Sequence, residues 1–360
     1  MSGIAQLIAL GEQDKWLYGN PEQTLFRSTY KRITNFSTVT EAQVIQGMPV
    51  PGGMSAVRFE RKGDLLSSVY LTRLDNATDS VDRLDWGTLV DYVELYIGGQ
   101  KIDSQDYHYS TVIHKDLMAS SAARANGGAQ AGAGVGMPNQ PRESFFYPLK
   151  FFFCESTSTA LPLSALAFAD VELRIYWKET AAFVGKTMQL WSKFVYLDGA
   201  ERKAFANGVD ILINQVQRNG PSPNNRLELS LNHPVRFLAS TASCFDNHNK
   251  VRLQLNGTDT CEPRPAQPHY RQAVAYFEGL YGVSTTHHDG FSEVTFVMPF
   301  CTGVGSLAAY APHGALNFSR LDSARLEVGP QGTVIDGHIY AVNANVLRIS
   351  QGQGAVMYSS

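Results

Sequence analysis

The sequence predicts an all-β chain: two tandem eight-stranded antiparallel jelly rolls with a few short helices. Three observations lead there. Apolar and polar residues alternate over many short runs. Turn formers are abundant, with 31 Gly and 16 Pro, which favours many short strands over long helices. Strand-like blocks also recur in the same order at nearly one spacing. A chain of 360 residues is long for one small core and suits two domains.

Taken in chain order, residues 1–24 read as an N-terminal arm. Its stretch MSGIAQLIALGEQDKW carries apolar Ile4, Leu7, Ile8 and Leu10, but no basic region precedes them and no cleavage site follows. No apolar run in the chain approaches the roughly 20 residues that cross a bilayer. The expectation is a protein made in the cytosol and kept soluble there. The first roll is assigned to residues 25–207. Within it, YVELYIG (residues 92–98) and DVELRIYWK (170–178) alternate strictly; Val171, Leu173, Ile175 and Trp177 share one face. Such strands have one face buried and the other wet or at an interface. A helix is expected over 106–125 and a flexible surface loop over the glycine-rich 126–138. A short helix in LDGAERKAFANG stops at Gly208. The second roll, 208–360, begins near FANGVDILINQVQRNGPSPNN and contains RLELSLN (226–232) and KVRLQLN (250–256). Gly98-Gly99 and Asn256-Gly257 suit tight hairpin turns.

Four blocks repeat. Gly99 and Gly257 close similar strands 158 residues apart, and SFFYPLKFFFC and EVTFVMPFC end 147 apart. ADVELRI and DSARLEV begin 153 apart, and FVYL and IYAV 145 apart. A unit of roughly 150 residues holds about eight strands with their turns, the size of a jelly roll.

Chemistry-bearing residues are sparse. A net charge of −3 offers no broad positive field for phosphates, so direct nucleic-acid binding is not expected. Cys154, Cys244, Cys261 and Cys301 form no CxxC pair and read as reduced structural thiols. Asn35, Asn76, Asn256 and Asn317 each open a glycosylation sequon, but in a cytosolic chain they read as chance matches. Arg320 and Asp322 read as fixing a turn rather than as an active site. His287-His288-Asp289 is the most metal-like cluster, yet adjacent strand residues point to opposite faces. Glu60, Asp64, Asp75, Asp79, Asp82 and Asp85 interleave with Arg58, Arg61, Lys62, Arg73 and Arg83, as on a charge-balanced surface. The glycine-rich loop lacks the phosphate-binding GxxxxGK[ST] pattern, and no Gly-x-Ser-x-Gly is present. No catalytic residue, metal site or cofactor is expected. On the residues alone, a tandem β-sandwich that binds or hydrolyses glycans remains the alternative.

Several blocks match one family. The opening run carries Gly19-Asn20-Pro21, Phe26, Tyr30-Lys31-Arg32 and Asn35-Phe36-Ser37. VDYVELYIGGQKID, FYPLKFFFCESTSTALPLSALAFADVELRI, FVYLDGAERKAFA, ILINQVQ, NHPVRFL, GALNFSRLDSARL and IYAVNANVLRISQGQGAVMYSS follow in order. In these the chain resembles the double jelly-roll major capsid proteins of nucleocytoplasmic large DNA viruses, from residue 3 to its end. It departs in being short, as if surface loops were trimmed, and in replacing the tryptophan-bearing helix after GGQKID. The resemblance implies a non-enzymatic structural protein, a homotrimeric pseudo-hexagonal capsomer tiling an icosahedral shell assembled in the host cytoplasm. It further implies contacts with itself, with minor capsid and penton proteins and with an internal membrane. The arm residues Ile4, Leu7, Ile8 and Leu10 would face the interior.

Overall fold

The computed structural model describes residues 2–28, 30–81, 83–114, 143–246, 248–277, 295–302 and 313–358. The chain divides into two units, Met1–Asn35 and Phe36–Ser360. The first holds two seven-residue helices, Ser2–Ile8 and Glu12–Tyr18. The Asp14 carboxylate accepts the Gly11 N–H at 2.8 Å and so caps the second helix. Neither helix was expected, because seven residues span only two turns and show no full apolar period.

The second unit contains both jelly rolls. In the first roll one sheet runs, in spatial order, Phe36–Gln43, Lys186–Leu197, Leu65–Asp75 and Leu161–Pro162. The other runs Met54–Arg58, Val171–Trp177, Val90–Ile97 and Gln100–Asp106. The second roll repeats this plan. One of its sheets orders Val209–Asn219, Ile339–Ser350, Pro234–Ser240 and Phe296–Pro299. Its partner orders Arg226–Glu228, Ala324–Val328, Lys250–Leu255 and Thr258–Asp259. All pairings are antiparallel.

The duplication extends to irregularities. Ser67 has no partner where Leu66 pairs with Phe194 and Ser68 with Lys193. Arg236 is skipped in the same way, between Val235 opposite Asn343 and Phe237 opposite Val342. Each bulge follows the residue paired to a short strand, Leu161 beside Leu66 and Leu316 beside Val235. The two glycine-bearing turns also correspond. Gly98 and Gly99 (φ 58° and 82°) join Ile97 to Gln100, and Asn256 and Gly257 (φ 49° and 77°) join Leu255 to Thr258. Both central residues need positive φ, the turn that matches strand twist. By the bulges, Phe194 (opposite Leu66) corresponds to Asn343 (opposite Val235), 149 residues on. The expected match of FVYL to IYAV therefore lies on the right strand but four residues out of register. A slip by an even number keeps every side chain on its face, so alternation alone does not detect it.

Alternation holds where one face is open. Val171, Leu173, Ile175 and Trp177 are buried and the residues between them half-buried. Leu227, Leu229 and Leu231 share a buried face, but pairing ends at Glu228, beyond which the Leu229 N–H reaches Ala324 O at 2.8 Å. Of the helix expected over 106–125, Asp106 instead ends the strand Gln100–Asp106, residues 107–114 are helical, and 115–125 lie outside the described residues. So do the glycine-rich loop and His287-His288-Asp289. The short helix is Gly199–Ala206, capped by the Asp198 carboxylate on the Gly199 N–H and followed by Gly208 at φ 97°. Among the described residues no helix is long and apolar enough to cross a membrane.

The rolls meet closely at Gly354. A Cβ there would lie 2.7 Å from Leu166 Cδ2 and 3.0 Å from Ile97 Cγ2, both in the first roll. Gly354→Val is expected to cost about 1–3 kcal/mol through overpacking, read as a lowered urea midpoint. Gly199→Ala, which meets open space, should leave the midpoint unchanged.

Candidate functional site

Among the described residues the seam between the two rolls gathers the largest set of polar contacts across elements of different halves. It begins with a sheet that is apolar on both sides. Along Pro234–Ser240 six consecutive residues are buried, and Ile339–Asn343 is buried throughout. Val235, Leu238, Ile339 and Ala341 face the second roll's own core. Phe237, Ala239, Tyr340 and Val342 face the other way, forming a separate cluster with Val297, Cys301 and the first roll's Tyr109 and Ile113. The helical turn 107–114 thus covers a sheet that would otherwise be wet. The second roll also reaches into the first core, where Ile211, Ile213, Leu347 and Ile349 join the first roll's apolar residues.

Polar groups rim this apolar contact. Asp106 starts the helical turn by accepting the Tyr109 N–H at 2.8 Å. Its other oxygen accepts Tyr340 Oη at 2.6 Å and Arg218 Nη1 at 3.2 Å, both from the second roll. Asp103 accepts the Val216 N–H at 2.9 Å and Gln105 Nε2 at 2.7 Å. Glu155 accepts Asn214 Nδ2 at 3.1 Å, and Arg236 Nη1 donates to the same amide's Oδ1 at 3.2 Å. Burial pushes the Asp103 and Glu155 carboxyls up to about 7 and holds His114 well below its ordinary value. Burial likewise pushes the Cys154 and Cys244 thiols up to about 12, the behaviour of packed thiols rather than nucleophiles. All four cysteines are free.

The residues singled out from sequence do not converge. Asn76 is exposed in a loop and its Oδ1 accepts Thr187 Oγ1 at 2.7 Å. Asn256 accepts both the Asp322 and Ser323 N–H groups, at 2.9 and 3.1 Å. The path near Arg320 and Asp322 is therefore fixed by Asn256, not by those two side chains. Asn317 is exposed and caps the turn Phe318–Arg320 by accepting the Ser319 N–H at 3.1 Å. Asn35, Ile4, Leu7, Ile8 and Leu10 are exposed residues of the N-terminal unit. The acidic run disperses. Asp64 takes Arg202 and the Leu197 N–H at 2.8 Å each, Asp75 takes Lys186, and Asp85 accepts the Gly87 N–H at 2.9 Å. Asp82 lies outside the described residues. Among the described residues no three metal-binding side chains cluster. Sequence reading missed the seam itself. A signal lay in the consecutive apolar residues Phe237-Leu238-Ala239 within VRFLAS, where strict alternation fails.

The profile of the family described as "Major capsid protein N-terminus" matches residues 24–214. The chain belongs to the major capsid protein family. It is 31% identical to the major capsid protein of Pyramimonas orientalis virus, over 99% of both chains. It is 28% identical to that of Paramecium bursaria Chlorella virus 1, again over 99% of both. That second alignment spans 439 positions, so the relative carries insertions where this 360-residue family member has short loops. In fold it matches the PBCV-1 virus capsid with a TM-score of 0.74 and 23% identity, covering 94% of this chain and all of that one. The Faustovirus major capsid protein matches with a TM-score of 0.66 at 10% identity, over 95% and 94%. Fold and family together make this a structural capsid protein of large DNA viruses and not an enzyme. Asp103 is buried, and both raised carboxyls contact second-roll residues, Val216 and Asn214, at the join between the rolls.

Tyr340→Phe, which leaves the half-buried Asp106 short of one donor, should destabilise the family member by about 1–3 kcal/mol in urea unfolding. Tyr30→Phe, in the N-terminal unit, should leave the midpoint where it is.

Proposed function

We propose that this capsid protein builds homotrimers with six jelly rolls arranged as a pseudo-hexagonal tile, and that the tiles pave an icosahedral shell. The observation that carries this reading is the internal repeat of an asymmetric contact. Within the chain, the second roll's sheet face at Phe237, Ala239 and Tyr340 receives a helical turn of the first roll. The equivalent face of the first roll, read through the shared bulge, comprises Ser68, Tyr70 and Trp191. Tyr70 and Trp191 are half-buried there, with Trp191 Nε1 donating to Thr72 Oγ1 at 3.1 Å. The second roll in turn has its own helical segment after the matching strands, Gln267–Ala273 continued by Val274–Phe277. A neighbouring copy's segment seated on Tyr70 and Trp191 repeats the intrachain contact between chains. Such head-to-tail contacts close a ring when the rotation fits. An obligate contact of this kind buries roughly 2,000 Å² or more.

In this reading residues 25–207 and 208–360 are the two rolls and 1–24 is an arm. Ile4, Leu7, Ile8 and Leu10 of the arm meet minor capsid proteins or an internal membrane on the shell's inner side. Penton proteins close the vertices, assembly proceeds in the host cytoplasm, and nucleic acid is not touched directly. Asn35, Asn76, Asn256 and Asn317 carry no sugar.

Light scattering at micromolar concentration is expected to give the mass of three chains; a monomer overturns the reading. Trp191→Ala should weaken the trimer roughly tenfold or more without lowering the unfolding midpoint by a similar measure. Removing residues 1–18 should leave trimers intact and impair shell assembly, and loss of trimers would contradict the arm's role.

A further inference from the structure

The sheet containing Val171–Trp177 and its counterpart containing Ala324–Val328 carry charges on their outward faces, and the two patterns are opposite in sign. In the first roll Glu172 lies between Arg58 and Tyr96, and Arg174 lies between Ala56 and Glu94. In the second roll Arg325 lies between Glu228 and Gln254, and Glu327 lies between Arg226 and Arg252. The matching turns fix the correspondence, since Val171 opposite Ile97 is the equivalent of Ala324 opposite Leu255. Of these six positions four reverse their charge: Arg58 becomes Glu228, Glu172 becomes Arg325, Arg174 becomes Glu327 and Glu94 becomes Arg252. The inward positions between them stay apolar, Leu173 matching Leu326 and Val93 matching Val251. The core was kept and the surface inverted.

We infer that these two faces dock on each other between neighbouring tiles, the first roll of one copy against the second roll of the next, with their central strands parallel. This contact rests on the trimeric tile proposed above and names the surface by which tiles join. The ring contact within a tile uses the other sheets of the rolls, at Tyr70 and Trp191 and at Phe237 and Tyr340, and leaves these faces uncovered.

Symmetry calls for a mixed contact. A hexagonal tile whose sides alternate between two rolls has unlike rolls on opposite sides. Tiles repeated by translation therefore set a first roll against a second, the two faces being related by a half-turn about the tile axis. With strands running along that axis, the central strands meet row for row and the flanking strands cross over. Glu172 then faces Arg325, and Arg174 faces Glu327. In the flanking strands Arg58 faces Gln254 and Glu94 faces Arg226, so no like charges meet. The same half-turn between two first rolls sets Glu172 on Glu172 and Arg174 on Arg174. Like-on-like docking is thus penalised and the mixed contact favoured.

The charges are braced within their own rolls. Glu172 accepts Arg174 Nε at 2.6 Å, and the Arg174 guanidinium lies over the Tyr96 ring, 4.1 Å from its centroid. Arg325 Nε donates to Glu228 at 2.6 Å, and Arg252 donates to Glu327 at 2.5 Å. Glu172, Arg174, Arg325 and Glu327 are half-buried, while Arg58, Arg226 and Glu228 are exposed. Fixed side chains lose little freedom on docking. Exposed ion pairs are individually weak, which suits contacts that must correct themselves as a shell grows.

The test uses charge-conserving swaps in the full chain, read by concentration-dependent light scattering of the trimers. Wild-type trimers should attract one another. Glu172→Arg/Arg174→Glu sets like charges together across the contact and should raise the concentration at which trimers associate roughly tenfold or more. Adding Arg325→Glu/Glu327→Arg to the same chain should restore association. The second swap also crowds like charges within its own face, beside Glu228 and Arg226, so the unfolding midpoint should fall while association recovers. That opposition separates docking from folding. Wild-type trimers that do not attract, a first swap without effect, or a fourfold variant no better than the first swap overturns the contact. Should the swaps not fold, Glu172→Gln/Arg174→Gln decides it: weaker association supports the contact, and equal association overturns it. A monomeric wild type would instead overturn the tile, a result distinct from trimers that form and fail to join.

Discussion

The structure depends on one sheet that serves two cores. Pro234–Ser240 and Ile339–Asn343 line the second roll's interior with one set of side chains and the first roll's flank with the other. A sheet apolar on both faces is unstable in water unless each face is covered. The first roll supplies that cover through Tyr109 and Ile113, and receives Ile211, Ile213, Leu347 and Ile349 in return. The position of the helical turn, the closeness of Gly354 to Leu166 and the polar rim around Asp106 all follow from making this double-sided sheet dry.

A shell protein needs rigid blocks with defined sides. Two sandwiches of the same plan supply the blocks, and the apolar clusters between them join one to the other. The seam is therefore unlike a transient domain contact, in which relative motion is the normal expectation. It is also where this chain departs from plain apolar adhesion, by burying Asp103, His114 and Arg236 and half-burying Glu155. Buried charge adds little to stability but sets a preferred geometry, because each misplacement leaves a group unpaired.

Much of this was legible in the sequence. Alternation located the strands, paired glycines located two hairpins, and block repetition exposed the duplication. The repeat was read correctly by strand but not always by register, since even slips leave the faces unchanged. VRFLAS hid the seam, because three consecutive apolar residues, Phe237-Leu238-Ala239, do not say what covers their second side. Asp103 and Glu155 were invisible as special residues. Each lies in an ordinary polar-looking context, QKIDSQD and FFFCES, and only the fold brings them to Val216 and Asn214. The three-residue sequon patterns likewise carry no sign that Asn256 and Asn317 brace turns through their Oδ1 atoms.

The paired bulges carry a consequence for autonomy. Ser67 closes its bulge inside its own half, donating to Lys193 O at 3.3 Å. Arg236, at the matching place, sends its guanidinium to Asn214, the amide that also holds Glu155 of the other half. The same kink has become self-sufficient in one copy and indebted to its neighbour in the other. Cut free, the C-terminal half would expose Phe237, Tyr340 and Val342 to solvent and release Arg236 from the company of Glu155. The first half would lose as well, since Ile211, Ile213, Leu347 and Ile349 of the second complete its core.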